Sequence, residues 1–186
     1  SLVDYFTHAR PKAAPYPFTT KIPSLGMLTI HERDIVLADI PGIIEGAHEG
    51  HGLGLQFLKH IARTSALAFL VDLSDGNWEG AYRVLMDELC SFAPLMAQKR
   101  RVLIATKLDL PEAADRFKAF KTAHTGEEIY GISVFSGLGL DELREAFLSI
   151  VLEAEKASKA DGRGEGLSEN EELFGLGAAD AEEGGE

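Results

Sequence analysis

The feature that most constrains this chain is a repeated alternation between two kinds of segment. Apolar runs at Leu67–Leu73 and Val102–Thr106 are separated by a stretch of helical period over about Trp78–Phe92, and another helical stretch follows Pro111. A short strand is expected at Ile129–Ser133. A strongly periodic helix is expected at Asp141–Ala157, with Leu143, Phe147, Ile150 and Val151 at helical spacing. Strands apolar along their whole length need cover on both faces, and intervening amphipathic helices provide it. The pattern therefore predicts an α/β fold, a mostly parallel sheet with helices on both faces.

The upstream third is less regular. Leu2, Val3 and Phe6 make residues 1–10 helical, and Ser1 with Asp4 can form a capping box unless that helix starts further upstream. Pro11, Pro15, Pro17 and Pro23 make Ala9–Pro23 an extended loop. Strands are expected at Met27–His31 and Asp34–Ile40 across a polar turn. A glycine-rich loop, Gly42 to Gly54, then leads into an amphipathic helix around Leu55–Arg63.

Charge divides the chain in two. The formal net charge is −12, and nine acidic residues against one basic residue after Ala160 carry −8 of it. That stretch also holds seven of the 19 glycines. One domain of ordinary size is expected over 1–157, followed by a disordered, solvated acidic tail over 158–186. Within the tail, Leu173-Phe174-Gly175-Leu176 is the one apolar patch that could dock. Cys90 is the single cysteine, so no disulfide can close within the chain. No apolar run reaches the ~20 residues that span a bilayer. With no basic-apolar leader, the expectation is a cytoplasmic monomer without membrane contact.

Four motifs carry candidate chemistry, three of them at strand ends, where α/β sheets bind ligands. Asp39-Ile40-Pro41-Gly42 ends a strand with a carboxylate able to hold Mg²⁺ through water and a glycine that lets a backbone N–H approach a phosphate. In Thr106-Lys107-Leu108-Asp109, the carboxylate can accept both the ring N–H and the exocyclic amine of guanine, a donor pair adenine lacks. The lysine stem can lie along base or ribose. Ser133-Val134-Phe135-Ser136-Gly137 can offer backbone N–H groups to a base oxygen. In the proline-rich loop, the hydroxyls of Tyr16-Pro17-Phe18-Thr19-Thr20 include a threonine able to bind Mg²⁺ and sense a γ-phosphate. Taken singly, each has a plain structural explanation: a Pro-Gly turn, a helix cap, a polar loop, an exposed threonine.

Their joint occurrence in this order resembles the Ras-like GTPase superfamily. It is similar in detail to the Obg family, through Ala9-Arg10-Pro11-Lys12, the Tyr16–Thr20 run, Asp39-Ile40-Pro41-Gly42-Ile43-Ile44-Glu45-Gly46-Ala47 and the glycine-rich run from Gly50 to Leu58. The resemblance covers about residues 1–155. It implies a Ras-like P-loop fold that binds GTP and GDP with Mg²⁺ as cofactor. It further implies slow hydrolysis as a molecular switch and association with the ribosomal large subunit during its assembly. On matching positions it implies that Phe18, Thr19, Thr20, Lys21 and Ile22 form the first switch, with Thr20 on Mg²⁺. Asp39, Ile40, Pro41 and Gly42 would form the second, with Asp39 reaching Mg²⁺ through water. Thr106, Lys107, Leu108 and Asp109 would read guanine, and Ser133, Val134 and Phe135 would complete the base pocket.

Departures from the family pattern sharpen the expectation. Family members carry a Gly-x-Pro-Asn-Ala-Gly-Lys-Ser loop before the first helix, and Ser1 aligns just after its serine. A fragment lacking the first strand and phosphate loop is expected, inactive alone and unable to bind GTP tightly. The alternative is a degenerate, non-hydrolysing domain that acts through protein contacts. Thr106 stands where the family has Asn and Val134 where it has Ala. Ile43 occupies the place of the water-orienting glutamine of Ras-like proteins and cannot orient water, in keeping with slow hydrolysis. Glu45, His48, Glu49 and His51 are candidates to assist, though each reads more simply as a solvated loop residue. Glycines 42, 46, 50, 52 and 54 suit a segment that orders when phosphate binds.

Overall fold

The computed structural model describes residues 2–7, 12–13, 24–40, 64–92, 94–160 and 172–179. Seven strands lie among them: β1 (Lys12–Ala13), β2 (Ser24–Ile30), β3 (Arg33–Ile40), β4 (Thr64–Asp72), β5 (Arg101–Thr106), β6 (Ile129–Gly131) and β7 (Glu172–Ala179). The helices are α1 (Leu2–Thr7), α2 (Trp78–Phe92), α3 (Pro94–Ala97), α4 (Ala113–Ala123) and α5 (Leu140–Ala160). The strands form one sheet in the order β1-β2-β3-β7-β4-β5-β6. β1–β2 and β2–β3 pair antiparallel, and every other neighbouring pair is parallel.

The two-residue period of a strand sorts the core into two layers. Ala66, Ala68, Val102 and Ile104 pack with Leu2 and Val3 of α1 and with Leu143, Phe147, Ile150 and Val151 of α5. Their alternates Leu67, Phe69, Val71, Leu103 and Ala105 pack with Tyr82, Leu85 and Leu89 of α2 and with Ala113 and Phe120 of α4. Both faces are covered, as the unbroken apolar runs require. β2 shows the opposite pattern: Leu28 and Ile30 are buried while Met27 and Thr29 are exposed.

Where β2 meets β3, Ile30 pairs with Arg33, leaving His31 and Glu32 as a two-residue turn. Both have positive φ, 47° and 65°. Tight hairpins favour this because a left-handed turn follows the twist of the strands. His31 therefore belongs to the turn rather than to the strand expected at Met27–His31. The proline-rich stretch likewise contains a strand of two residues, β1, which pairs at the sheet's outer edge.

The acidic segment holds two ordered pieces. α5 continues to Ala160, and Glu172–Ala179 enters the centre of the sheet as β7, parallel to both neighbours. Phe174 is in register with Leu37 on one side and Ala66 on the other. The physical reason is the composition of the segment: residues 173–179, all of β7 but its first position, carry no charge and suit a slot where both strand edges are paired. Averaged with its acidic flanks, the segment reads as solvated. The path from β6 through α5 to β7 crosses the sheet in the direction opposite to β4–α2–β5 and on the opposite face, so the crossovers share one hand. The glycine-rich loop, the Leu55–Arg63 helix and residues 180–186 lie outside the described residues.

Ion pairs gather at the edge where β5 and β6 begin. Arg101 holds Glu127 at 2.5 Å, and Arg100 bridges Glu128 at 3.0 Å and also pairs with Glu153. The opposite edge, where the parallel strands end, is where candidate site residues collect.

Candidate functional site

Asp39 is the last residue but one of β3, Asp72 closes β4 and Thr106 closes β5, while Ser133 follows β6. Parallel pairing puts all four on one edge, and Asp72 lies directly opposite Thr106. Four strand ends thus deliver polar groups to a common rim.

The Thr106–Asp109 turn is held from below. Leu108 N donates to Ile132 O at 3.1 Å, and Leu110 N to Lys107 O at 3.1 Å. These bonds seat Lys107 at φ 62°, a left-handed conformation that costs a side-chain-bearing residue about 1 kcal/mol or more and persists where surroundings enforce it. Thr106 turns inward: its Oγ1 donates to Val71 O at 3.3 Å, and Leu73 N returns a 3.4 Å bond to Thr106 O. At the position where the Obg pattern has an asparagine amide, this hydroxyl therefore ties β5 to β4.

Asp109 is exposed, yet one oxygen is fixed. Ser133 is fully buried and its Oγ donates to Asp109 Oδ1 at 2.5 Å. The same Oγ accepts the Ser136 N–H at 3.1 Å, and Gly137 N donates to Ser133 O at 2.9 Å. Gly139 has φ 70°, and a Cβ there would meet Gly131 O at 2.2 Å, so only glycine lets this loop close against β6. Val134 and Phe135 point a large apolar surface outward, with Phe135 92% exposed. The loop thus buries a serine to orient a carboxylate and leaves an aromatic ring in solvent.

Asp39 is half-buried, and burial pushes its carboxyl above the usual range. A carboxylate whose charge is opposed by burial favours a cation partner, which fits a divalent metal as ligand. Among the described residues no group of three or more His, Cys, Asp or Glu side chains forms a metal cluster. Ile40 ends β3, while Pro41, Gly42 and the Phe18–Ile22 segment lie outside the described residues, as do Ile43, Glu45, His48, Glu49 and His51.

The structure brings one group to the rim that the motifs did not reveal. Asp72 Oδ2 pairs with the Lys107 ammonium at 2.5 Å, while its Oδ1 accepts the Ser74 N–H and hydroxyl at 2.8 and 2.7 Å. Burial alone would raise the Asp72 carboxyl, but the Lys107 and Ser74 hydrogen bonds and the lysine charge outweigh it and hold it below the usual range. The available signal was an acidic residue ending an apolar strand, the same one that marked Asp39.

Comparison with known proteins shows the family. Residues 1–107 match the family described as 50S ribosome-binding GTPase. The chain belongs to that GTPase family, within it to the Obg type. It is 57% identical over 157 residues to GTPase Obg of Treponema denticola, covering 84% of this chain and 41% of that protein. GTPase Obg of Treponema pallidum is 50% identical over 151 residues, covering 81% and 40%. The chain thus spans about two-fifths of the length of these curated relatives. Among solved structures, the G domain of the T. maritima iron transporter FeoB superposes with a TM-score of 0.59 at 21% identity, covering 81% of this chain and 89% of that one. That likeness agrees with the α/β fold expected from the alternating segments, and the matched family with the Ras-like form that the resemblance implied. Among the described residues, no helix is long and apolar enough to cross a membrane.

Proposed function

We propose that this Obg-type chain supplies the base-reading half of a site that binds GTP and GDP and hydrolyses GTP slowly, as a switch in assembly of the ribosomal large subunit. The observation that carries the reading is the 2.5 Å bond from buried Ser133 to Asp109, beside a Lys107 held in a left-handed turn. A carboxylate fixed by one oxygen presents its remaining lone pairs in a defined direction. Guanine's adjacent N1–H and N2–H donors match it; adenine would leave it unpaired, at a cost of about 1–3 kcal/mol.

Mg²⁺ would be held by Asp39 through water and by Thr20, and when bound it supplies neutralisation of charge on the phosphate oxygens. Asp39 holds its position through the β3 ladder, where it pairs with Ser24 and Leu176. The base contacts would come from Thr106, Lys107, Leu108 and Asp109 with Ser133, Val134 and Phe135. The phosphate contacts would come from the Phe18–Ile22 segment and Asp39–Gly42. The chain would act as a cytoplasmic monomer whose large partner is the ribosomal large subunit, the partner being supported by the matched family's description as 50S ribosome-binding.

Titration of the intact gene product with GTP, GDP and ATP in the presence of Mg²⁺ tests this. Guanine nucleotides are expected to bind at least tenfold more tightly, a difference of about 1.4 kcal/mol. Equal affinity for GTP and ATP would overturn the role given to Asp109, and the protein-contact alternative would then stand.

A further inference from the structure

We propose that Asp72 and Ser74 form a clamp that sets the position of Lys107, making Asp72 a positioning residue for nucleotide binding. The inference rests on the guanine-nucleotide reading of the rim and deepens it.

The clamp is closed on every side. Asp72 divides its two oxygens, one for the Lys107 ammonium at 2.5 Å and one for the backbone and hydroxyl of Ser74 at 2.8 and 2.7 Å. Ser74 Oγ donates to that carboxylate and accepts from Lys107 Nζ at 3.2 Å, so the lysine contacts both residues. Arg116 of α4 then locks the turn: its Nη1 donates to Leu73 O and Ser74 O, each at 2.7 Å. Two bonds between Thr106 and the end of β4 complete the tie between the turns. The ammonium is thereby fixed at its tip as well as its backbone.

This matters because lysine is a poor anchor unless preorganised. Its four-carbon stem has more rotamer freedom to lose on ordering than most side chains. A lysine already ordered by Asp72 and Ser74 has lost that freedom before ligand arrives, and prior ordering strengthens binding mainly by slowing release. The pair is also half-solvated, with 54% of the lysine side chain exposed, so its contribution to bulk stability is small. A polar network this complete at a ligand rim, worth little to the fold, points to placement of the lysine.

The test uses the intact gene product as wild type, Asp72→Asn, Lys107→Ala and the double variant, with Ser74→Ala as an independent probe. GDP dissociation is measured with Mg²⁺, and amine labelling of Lys107 without nucleotide is followed by mass spectrometry. Asp72→Asn should speed GDP release about tenfold, Ser74→Ala less, and Asp72→Asn should add nothing once Lys107 is alanine. Lys107 should label several times faster in Asp72→Asn, with the thermal midpoint little changed. Equal effects of Asp72→Asn in both backgrounds, or unchanged labelling, would overturn the clamp. Faster labelling with unaltered GDP release would overturn its positioning role. Absence of guanine preference in the wild type would defeat the underlying reading instead, and the labelling result would still report on the clamp.

Discussion

Ser133 and Asp109 stand 24 positions apart in the chain, yet the buried hydroxyl of one donates to the exposed carboxylate of the other at 2.5 Å. Ser133 lies after β6 and Asp109 after β5, and the parallel pairing of those strands brings the two loops together. The relationship joins the two motifs that the proposed function assigns to the base, and it can be tested by removing the hydroxyl.

Ser133→Ala deletes the bond to Asp109 and the acceptor for Ser136 N–H. A hydrogen bond to a charged group contributes about 1.5–3 kcal/mol, so GDP affinity should fall roughly tenfold or more. Calorimetric titration checks this, and a variant that binds GDP as tightly as the wild type would show that Asp109 needs no orienting partner.

Asp39→Asn reports on the raised carboxyl. A group whose folded pKa lies above its unfolded value opposes folding at neutral pH, and the penalty vanishes as pH falls through the folded pKa. The variant should therefore melt higher than wild type at pH 7 without Mg²⁺, with the gain shrinking towards pH 4, while losing the stabilisation that Mg²⁺ and GDP give. Melting curves across that range decide it; a lower midpoint at pH 7 would contradict the sign.

Deleting residues 161–186 opens the facing edges of β3 and β4. Ile35–Ile40 of β3 and Thr64–Val71 of β4 pair with β7, and paired edges in a sheet centre resist both unfolding and association. The shortened chain should lose cooperative melting or aggregate in light scattering, and in the full chain the amides of residues 172–179 should exchange slowly. An unchanged melting curve would mean that β7 contributes nothing.

Gly139→Ala forces a Cβ to within 2.2 Å of Gly131 O at a residue with φ 70°. Strain and displacement together should cost about 2 kcal/mol or more, and the shift of the 133–139 loop should also weaken GDP binding. Chemical denaturation with a parallel titration measures both, and a neutral effect on stability would show that the loop can yield.

Much of the architecture was legible in advance because it follows from local periodicity. Leu67–Leu73 and Val102–Thr106 read as doubly covered strands, and Tyr82, Leu85 and Leu89 of α2 do cover one face. Strand ends shifted by a few residues where a turn, such as His31-Glu32, is defined by hydrogen bonding rather than by composition. β7 was hidden for another reason: its uncharged core is short and its flanks are acidic, so any average over the segment points to solvent.

The sequence by itself determined the fold class and most of its strands and helices, because apolar periodicity and residue chemistry are local properties. Only the tertiary structure decided which groups meet. It set Ser133 beneath Asp109, Asp72 and Ser74 around Lys107, and residues 172–179 between β3 and β4. Those contacts arise from strand register and crossover direction, which join residues far apart in the chain and leave no mark in the spacing of the residues themselves.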